Sequence, residues 1–432
     1  MSARQEIVRS SKRAHGEIKV PSDKSITHRA LILGSLARGT CLVENPLRSE
    51  DTLSTAACLK ALGIGIKDDA RGWVVEGRGL WGYSVPAQEL NCGNSGTTIR
   101  LLSGPLAAQD FLTRLIGDLS LSRRPMKRIV EPLSRMGAEV SARDGEFTPL
   151  LIRGRKPLKP LVWESPVASA QVKSCVILAG LHAEGKTIYR EPFLSRDHTE
   201  RMLTDCGVVV KTSRGSIEVE GPAQPIVRDW AVPGDPSSAA FFMAAAALLP
   251  DSSIRASGLS LNETRIGFFH VLKAMGADLS LENDASRAGG DPVGSVSVRG
   301  GRSLKGISID AGHVVGMIDE IPVLAVLATQ AQGSTTIRGA AELRVKESDR
   351  LKVLAEELKK MGGDVEELPD GLIIQGPTPL IGQTVRSHGD HRIAMALAVA
   401  GLVARGETCI QEAECVDISF PGFWELWGKV VR

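Results

Sequence analysis

An internal repeat constrains the fold of this chain more than any other feature of its sequence. The segment VPSDKSITHRALILGSL begins at Val20, and VPGDPSSAAFFMAAAALL begins at Val232, 212 residues later. The stretches LKALG at 59–63 and LKAMG at 272–276 recur at nearly the same offset. Two halves built on one plan are therefore predicted, each much longer than a solenoid repeat of about 20–50 residues.

Each half divides further into units of about 70 residues. A helical run rich in Ala and Leu is followed by a β-branched stretch, such as GTCLVE or GKTIYR, and then by an amphipathic helix. The closing helices end at a glycine placed where a left-handed C-cap would lie. These glycines are Gly63, Gly137, Gly207, Gly276, Gly362 and, less clearly, Gly428. The pattern predicts an α/β protein of six modules, three in each half.

The repeat also predicts the domain boundaries. We expect a first domain at 21–231 and a second domain formed by 1–20 together with 232–432. Residues 1–20 would complete the second domain as a strand. The chain would then cross between the domains twice, near 20 and 232, and this double crossover would act as a hinge.

Composition excludes several classes of function. Lys and Arg number 52 against 50 Asp and Glu, so no bulk charge is available to bind nucleic acid or a membrane surface. The longest apolar runs reach about a dozen residues, short of the ~20 that a membrane span needs, and no signal peptide is visible. Seven scattered cysteines without a Cys-x-x-Cys pair favour free thiols over a disulfide framework or a zinc site. We expect a cytoplasmic monomer without metal or cofactor.

Charged and small polar residues concentrate where the first helix of each module begins. A helix N-terminus attracts anions, because its backbone N–H groups are unpaired and its dipole is positive there. Several such openings would bind a small polyanionic substrate without any net protein charge. They are SDKSITHR (22–29), CGNSGTTIR (92–100), SAQVKS (169–174), GDPSSAA (234–240), MIDEIP (317–322) and SHGDHR (387–392).

Taken singly, the motifs of the first half have simpler explanations. Asp23 suits a helix cap, and Lys24, Ser25 and Arg29 suit a phosphate as well as they suit a solvated first turn. The glycines of GNSG permit close approach to a ligand but also fit an ordinary turn. The run SLSRRPMKR at 120–128 contains arginines that either bind a carboxylate or phosphate or are simply solvated.

The second half leaves similar alternatives. Asp319 is either a desolvated general base or a helix cap. RVKESDR at 344–350 places Lys346, Glu347 and Arg350 within one predicted helical turn, a pattern that often reflects surface pairing. Asp390 and His391 are adjacent, as in an orienting pair, but no nucleophile elbow accompanies them.

In combination, these motifs resemble the 5-enolpyruvylshikimate-3-phosphate synthase (EPSP synthase) family, in order and over nearly the whole chain. The resemblance rests on PSDKSITHRAL, GNSGTTIR, RRPM, SAQVKS, SRDHTERM, DEIPVLA, RVKESDRL and DHRIAMA. It implies the two-domain enolpyruvyl transferase fold, an inside-out α/β barrel in which each domain contains three βαβαββ units. It also implies transfer of the enolpyruvyl group of phosphoenolpyruvate to the 5-hydroxyl of shikimate 3-phosphate, with release of phosphate. No cofactor is implied.

The resemblance assigns roles residue by residue. Asp319 is similar to the family's proton acceptor and Glu347 to the group that protonates the phosphoenolpyruvate methylene, while Lys24 is a third catalytic candidate. The implied shikimate 3-phosphate contacts are Lys24, Ser25, Arg29, Ser169, Gln171, Ser195, Asp319 and Lys346. The implied phosphoenolpyruvate contacts are Lys24, Gly96, Arg124, Gln171, Arg350 and Arg392.

The chain departs from the family pattern at two places. Ser169-Ala170-Gln171 stands where Ser-Ser-Gln is frequent, and VDISFP at 416–421 lacks a lysine that many members have before Phe-Pro. We hypothesise that Arg196 or Arg201 supplies the missing positive charge. These features are similar to those of the second of the family's two broad sequence classes, although glyphosate sensitivity does not follow from them.

Two other functions remain as alternatives. A UDP-N-acetylglucosamine enolpyruvyl transferase has the same fold, but the family's Lys-Asn pair is Lys24-Ser25 here, and no cysteine lies between Cys92 and Cys175. A non-catalytic sugar-phosphate binding protein would gain nothing from two carboxylates beside anionic ligands. Both alternatives are therefore disfavoured.

Overall fold

The computed structural model describes residues 4–213 and 215–431, which form a mixed α/β protein. The helices are α1 (Lys24–Leu36), α2 (Glu50–Ala61), α3 (Gly96–Leu106), α4 (Lys127–Arg135), α5 (Ala170–Gly180), α6 (His198–Asp205), α7 (Pro236–Leu248), α8 (Gly267–Ala274), α9 (Ala311–Val315), α10 (Ile321–Gln330), α11 (Arg350–Lys360), α12 (His391–Val403) and α13 (Phe423–Val430). Short 3₁₀ helices span Leu121–Arg123, Ala341–Val345 and Ala413–Ile418.

The strands alternate with these helices along the chain. They are β1 (Gln5–Arg9), β2 (His15–Ile18), β3 (Arg38–Glu44), β4 (Gly65–Asp69), β5 (Gly72–Arg78), β6 (Leu90–Asn91), β7 (Leu112–Ile116), β8 (Glu139–Arg143), β9 (Phe147–Arg153), β10 (Val162–Glu164), β11 (Gly185–Arg190), β12 (Val210–Ser213), β13 (Ser216–Gly221), β14 (Trp230–Ala231), β15 (Ser253–Ser260), β16 (Asp278–Ala288), β17 (Asp291–Arg299), β18 (Ser308–Ile309), β19 (Gly333–Ile337), β20 (Asp364–Leu368), β21 (Gly371–Gly376), β22 (Thr384–Arg386) and β23 (Glu407–Gln411).

The described strands form six sheets, one for each predicted module. The sheet β10-β11-β13-β12 is typical: β10 pairs with β11 in parallel, and β13 pairs with β11 and β12 antiparallel. The parallel pair is joined across α5 and the antiparallel pairs follow α6, which is a βαβαββ unit. The sheets β6-β7-β9-β8 and β18-β19-β21-β20 have the same order. The predicted α/β fold of six modules is confirmed.

Three sheets are completed by strands from distant parts of the sequence. β14 pairs in parallel with β3, β2 pairs in parallel with β15, and β1 pairs antiparallel with β23. The N-terminal residues therefore contribute two strands to two sheets, where the sequence suggested one strand. A module whose sheet is completed by a distant strand does not correspond to one continuous stretch of sequence.

The chain divides into two compact units. Of the described residues, unit 1 contains 4–21, 234–286 and 292–431, and unit 2 contains 22–213, 215–233 and 287–291. Each unit has its own hydrophobic core, to which the first helices of its three modules contribute. α7, α10 and α12 supply most of their residues to the core of unit 1. α1, α3 and α5 contribute to the core of unit 2.

Glycine ends five of the closing helices, as predicted. After α2, the backbone N–H of Ile64 donates to the carbonyl of Leu59, and Gly63 between them has φ +85°. Gly137, Gly207, Gly276 and Gly362 also have positive φ. The sixth prediction was wrong, because Gly428 lies inside α13 rather than after it.

Candidate active site

In unit 2, α1 begins with a cation beside a carboxylate. Asp23 caps the helix by accepting a hydrogen bond from the backbone N–H of Ile26 at 2.9 Å. Lys24 is the first helical residue, and its Nζ lies 3.1 Å from Oδ2 of Asp51 near the start of α2. The Lys24 side chain remains 17% exposed, so it can reach a ligand at this opening. Sequence reasoning missed Asp51, which lies 27 residues away.

Arg29 is buried inside unit 2. Its Nε donates to Oγ1 of Thr199 and its Nη2 to Oγ of Ser174, both at 2.7 Å, and its Nη1 donates to the carbonyl of Ser25 at 3.0 Å. These bonds connect α1 to α5 and α6. Arg29 therefore fixes the relative positions of three helices within the unit, a role separate from the ligand contact that the resemblance implies.

The opening of α3 places two guanidinium groups beside Gly96. A Cβ built on Gly96 would lie 2.7 Å from Nη1 of Arg100 and 3.4 Å from Nη1 of Arg124. Glycine permits this close approach because it has no side chain. Nη2 of Arg124 donates to Oδ1 of Asn94 at 2.5 Å and to Oγ of Ser120 at 3.1 Å. Gly96 and Arg124, which were predicted from separate motifs, thus lie side by side.

Arg100 connects this opening to the next one. Its Nη1 donates to Oε1 of Gln171 at 2.7 Å and its Nη2 to the carbonyl of Pro125 at 3.2 Å. Nε2 of Gln171 donates to Oγ1 of Thr97 at 3.0 Å. One arginine therefore orients Gln171 and the loop that contains Arg124. Sequence reasoning missed Arg100, although it is the last residue of GNSGTTIR.

The two predicted serines of unit 2 differ in their hydrogen bonds. Ser169 caps α5 by accepting from the backbone N–H of Val172 at 3.4 Å, which leaves the serine proton free to be donated elsewhere. Ser195 instead donates its N–H to Oε1 of Glu191 at 2.8 Å and its hydroxyl to Oε2 of Glu191 at 2.7 Å. Sequence reasoning missed Glu191.

In unit 1, three carboxylates surround Arg350. Its Nε lies 2.8 Å from Oδ2 of Asp390, its Nη2 lies 2.7 Å from Oε2 of Glu347, and its Nη1 lies 3.3 Å from Oδ1 of Asp319. Nη2 also reaches Oδ1 of Asp390 at 3.3 Å. These contacts use four of the five N–H groups of a guanidinium. The two predicted acid–base residues, far apart in sequence, therefore meet on one arginine that has one N–H left for a ligand.

The three neighbouring carboxylates keep Arg350 protonated. Burial alone would lower its pKa, but the negative charges of Asp390, Glu347 and Asp319 outweigh this effect and raise the pKa well above its ordinary value. The guanidinium is therefore a permanent cation. The Asp319 and Glu347 side chains are 18% and 15% exposed, so both can meet a substrate while bound to Arg350.

One prediction about this region was wrong. Lys346 and Glu347 do not share a helical turn with Arg350, because a 3₁₀ helix ends at Val345 and α11 begins only at Arg350. Asp349 caps α11 by accepting from the N–H of Lys352, and this cap fixes where the helix starts.

Asp390 lies directly before α12 and beside Arg350. Its carboxylate caps α12 by accepting from the N–H of Arg392 at 2.9 Å, binds Arg350, and accepts from Oγ of Ser348 at 3.0 Å. Asp390 is therefore the residue that orients Arg350.

Among the residues that the structure describes, the buried cation Arg392 has no carboxylate partner. It is 3% exposed, and its Nε and Nη1 make no hydrogen bond to any residue that the structure describes. Its guanidinium carbon lies 5.9 Å from the ring centre of Phe241. An unpaired buried charge is costly, so this arrangement favours an anionic ligand at Arg392.

The opening of α7 contains a buried ion pair. Asp235 caps the helix and its Oδ1 lies 2.8 Å from Nη2 of Arg265, and both side chains are buried. This pair neutralises itself within unit 1. The sequence did not distinguish this opening from the others.

No group of three or more His, Cys, Asp or Glu residues in the described ranges could bind a metal ion. None of the described helices is both long enough and apolar enough to cross a membrane.

Comparison with known proteins decides the family. A family model described as EPSP synthase (3-phosphoshikimate 1-carboxyvinyltransferase) matches residues 8–427. The chain belongs to the EPSP synthase family. The 3-phosphoshikimate 1-carboxyvinyltransferase of Citrifermentans bemidjiense is 49% identical over 426 residues, covering 98% of this chain and 99% of that protein.

Further relatives agree. The protein of the same name from Thermodesulfovibrio yellowstonii is 48% identical over 423 residues, covering 97% of this chain and 98% of that protein. A solved structure of EPSP synthase from Acinetobacter baumannii superposes with a TM-score of 0.87 at 43% identity, covering 99% of this chain and 98% of that one. The resemblance inferred from the motifs is confirmed.

The Phe420-Pro421 pair, which no lysine precedes in VDISFP, belongs to an aromatic cluster. Phe420 is buried and packs with Phe242 and Phe423 at ring-centre distances of 6.0 and 5.3 Å. Of the two arginines suggested as substitutes, Arg201 pairs with Asp197 through its Nε at 2.8 Å.

Proposed function

We infer that this member of the EPSP synthase family transfers the enolpyruvyl group of phosphoenolpyruvate to the 5-hydroxyl of shikimate 3-phosphate. The observation that supports the chemistry best is the meeting of Asp319 and Glu347 on the buried Arg350. One guanidinium thereby fixes two carboxylates that can move protons, and its remaining N–H can bind an anionic substrate.

We propose that the reaction proceeds by addition and elimination. The 5-hydroxyl oxygen forms a bond to C2 of phosphoenolpyruvate as its proton passes to Asp319, while Glu347 gives a proton to the C3 methylene. Glu347 then takes a proton back from C3 while the bond from C2 to the phosphate oxygen breaks, which releases phosphate and restores the double bond. Fixed cations stabilise the anionic groups throughout, because they need no reorganisation during the reaction.

We propose that the substrate contacts divide between the units. Unit 2 supplies Lys24, Ser25, Arg29, Ser169, Gln171 and Ser195 for shikimate 3-phosphate. It also supplies Lys24, Gly96, Arg124 and Gln171 for phosphoenolpyruvate. Unit 1 supplies Asp319 and Lys346 for the former substrate and Arg350 and Arg392 for the latter. The unpaired buried guanidinium of Arg392 supports its assignment to phosphoenolpyruvate, whose carboxylate and phosphate are both anionic.

Arg196 and Arg201 are our two candidates for the missing lysine. Arg201 also pairs with Asp197 at the start of its own helix. At least one of the variants Arg196→Ala and Arg201→Ala is expected to raise the KM for phosphoenolpyruvate. An unchanged KM in both variants would contradict this assignment.

Two further predictions from the sequence belong to the proposal. We propose that the chain acts as a monomer in a reducing cytoplasm, which fits seven cysteines that are all free thiols. We also propose that the two predicted domains close on substrate. Small-angle scattering should show a smaller radius of gyration with shikimate 3-phosphate than without it, and identical radii would contradict closure.

Phosphate release tests the proposed activity. The protein should release phosphate from phosphoenolpyruvate when shikimate 3-phosphate is present and not when UDP-N-acetylglucosamine replaces it. Asp319→Asn and Glu347→Gln should lower kcat far more than they weaken substrate binding. Folded protein without turnover would refute the activity, and a loss confined to KM would refute the two roles.

A further inference from the structure

A buried lysine lies directly behind the shikimate 3-phosphate residues of unit 2. Lys173 is on α5, two residues after Gln171, and its side chain is 0% exposed. Its Nζ lies 3.0 Å from Oε1 of Glu191 and 2.7 Å from Oε1 of Glu200. Burying three ionisable groups seldom stabilises a fold better than apolar residues of similar size would. The cluster therefore requires a reason other than stability.

The geometry indicates that the cluster holds Ser195 in place. Its N–H and its hydroxyl both donate to Glu191, at 2.8 and 2.7 Å, and its carbonyl accepts from Nζ of Lys173 at 3.0 Å. All three polar atoms of Ser195 are thus bound to one ion pair. The residues just before Ser195 provide no comparable support, because Phe193 and Leu194 are exposed.

We propose that Glu191 and Lys173 are positioning residues that fix Ser195 in the shikimate 3-phosphate subsite. A serine on a loop with exposed neighbours would otherwise have to be ordered when the ligand binds, and that ordering would weaken binding. Glu191 fixes the backbone and the hydroxyl oxygen of Ser195, and Lys173 neutralises the carboxylate so that it does not repel a phosphate nearby. This inference rests on the proposed function.

Glu200 provides a matched control. It contacts the same lysine but makes no hydrogen bond to Ser195. Burial raises the pKa of Glu200, and the positive charge of Lys173 opposes this shift. Glutamine at this position keeps the size of the side chain beside Lys173. Any effect that acts through general disruption of the cluster should appear in Glu200→Gln as well as in Glu191→Gln.

A double-mutant cycle with Ser195 tests the proposal. Glu191→Gln and Ser195→Ala should each weaken shikimate 3-phosphate binding about tenfold, in calorimetry and in KM, with the KM for phosphoenolpyruvate unchanged. The double variant should be no weaker than Ser195→Ala alone, and Glu200→Gln should resemble the wild type. Glu191→Asp keeps the charge beside Lys173 but shortens the side chain, so it should show the same selective loss of shikimate 3-phosphate affinity. It replaces Glu191→Gln in the cycle if that variant folds poorly.

Three results would overturn the proposal. The first is an affinity loss in the double variant that equals the product of the two single losses. The second is a loss of shikimate 3-phosphate affinity in Glu200→Gln as large as that in Glu191→Gln. The third is wild-type affinity in both Glu191 variants. Failure of the proposed function would look different, because the wild-type protein itself would then release no phosphate. The calorimetric affinities of the variants decide the positioning role even in that case.

Discussion

The substitution Asp390→Asn tests how strongly catalysis depends on the orientation of Arg350. Asparagine keeps the size of the side chain and is itself a good helix N-cap, so the cap of α12 should survive. It removes the charge that Arg350 meets at 2.8 Å from its Nε and 3.3 Å from its Nη2. One amide oxygen cannot replace both carboxylate oxygens, so at least one buried N–H loses its partner.

The size of the effect follows from these contacts. Hydrogen bonds to charged groups contribute about 1.5–3 kcal/mol each, but Arg350 keeps Asp319 and Glu347 as partners. We therefore expect a destabilisation of about 1–3 kcal/mol, which lowers Tm by roughly 2–10 °C in a unit of this size. The guanidinium is then free to turn away from Asp319, and kcat/KM for phosphoenolpyruvate should fall about 10–100-fold.

Asp235→Asn is the matched control. Asp235 also caps a first helix of unit 1 and also binds a buried arginine, Arg265 at 2.8 Å, but that arginine has no proposed substrate role. Calorimetry should show a similar fall in Tm for both variants, and steady-state kinetics should show the loss of kcat/KM in Asp390→Asn alone. An equal kinetic loss in both variants, or none in Asp390→Asn, would refute the reasoning.

Three further predictions follow from single features of the structure. Arg392→Met removes an unpaired buried charge, so Tm should stay level or rise. The KM for phosphoenolpyruvate should rise about 100-fold. A lower Tm with an unchanged KM would contradict the assignment of Arg392 to phosphoenolpyruvate. Gly96→Ala adds a Cβ 2.7 Å from Nη1 of Arg100, so the KM for phosphoenolpyruvate should rise more than that for shikimate 3-phosphate, and equal changes would argue against the placement. Desolvation lowers the pKa of buried His182 to about 4, only partly offset by its hydrogen bonds to the carbonyls of Leu80 and Leu178. Between pH 4 and 6.5 the unfolded state therefore binds more protons than the folded state, and the stability present above pH 6.5 should fall by up to about 3 kcal/mol as the pH drops to 4. In urea unfolding, the free energy of unfolding of His182→Gln should fall less over this pH range than that of the wild type. Equal falls in the two proteins would contradict a lowered pKa for His182.

The sequence predicted the modules well because their signals are local. Apolar helical runs, β-branched strands and closing glycines each depend on neighbouring residues, and the positive φ of Gly63 and Gly276 shows why glycine ends those helices. Gly428 misled the prediction because a glycine inside a helix looks the same in the sequence as a glycine after one.

The groups that organise the site could not be predicted in the same way. Asp390 binds Arg350 across 40 residues of sequence, and Lys24 binds Asp51 across 27. Such pairs depend on how modules and helices pack, which residue spacing does not encode. The start of α11 depends on a more local feature, the cap by Asp349, which the charge pattern of RVKESDR does not reveal.

The reaction in deuterium oxide tests the central claim most directly. If Glu347 gives a solvent-derived proton to C3 and the intermediate then loses one proton from the resulting methyl group, the vinyl group of the product should contain deuterium. Proton NMR of the product should therefore show reduced vinyl signals when shikimate 3-phosphate and phosphoenolpyruvate are both present. A product with undiminished vinyl signals would contradict addition and elimination, and the absence of any enolpyruvyl product would contradict the transferase activity itself.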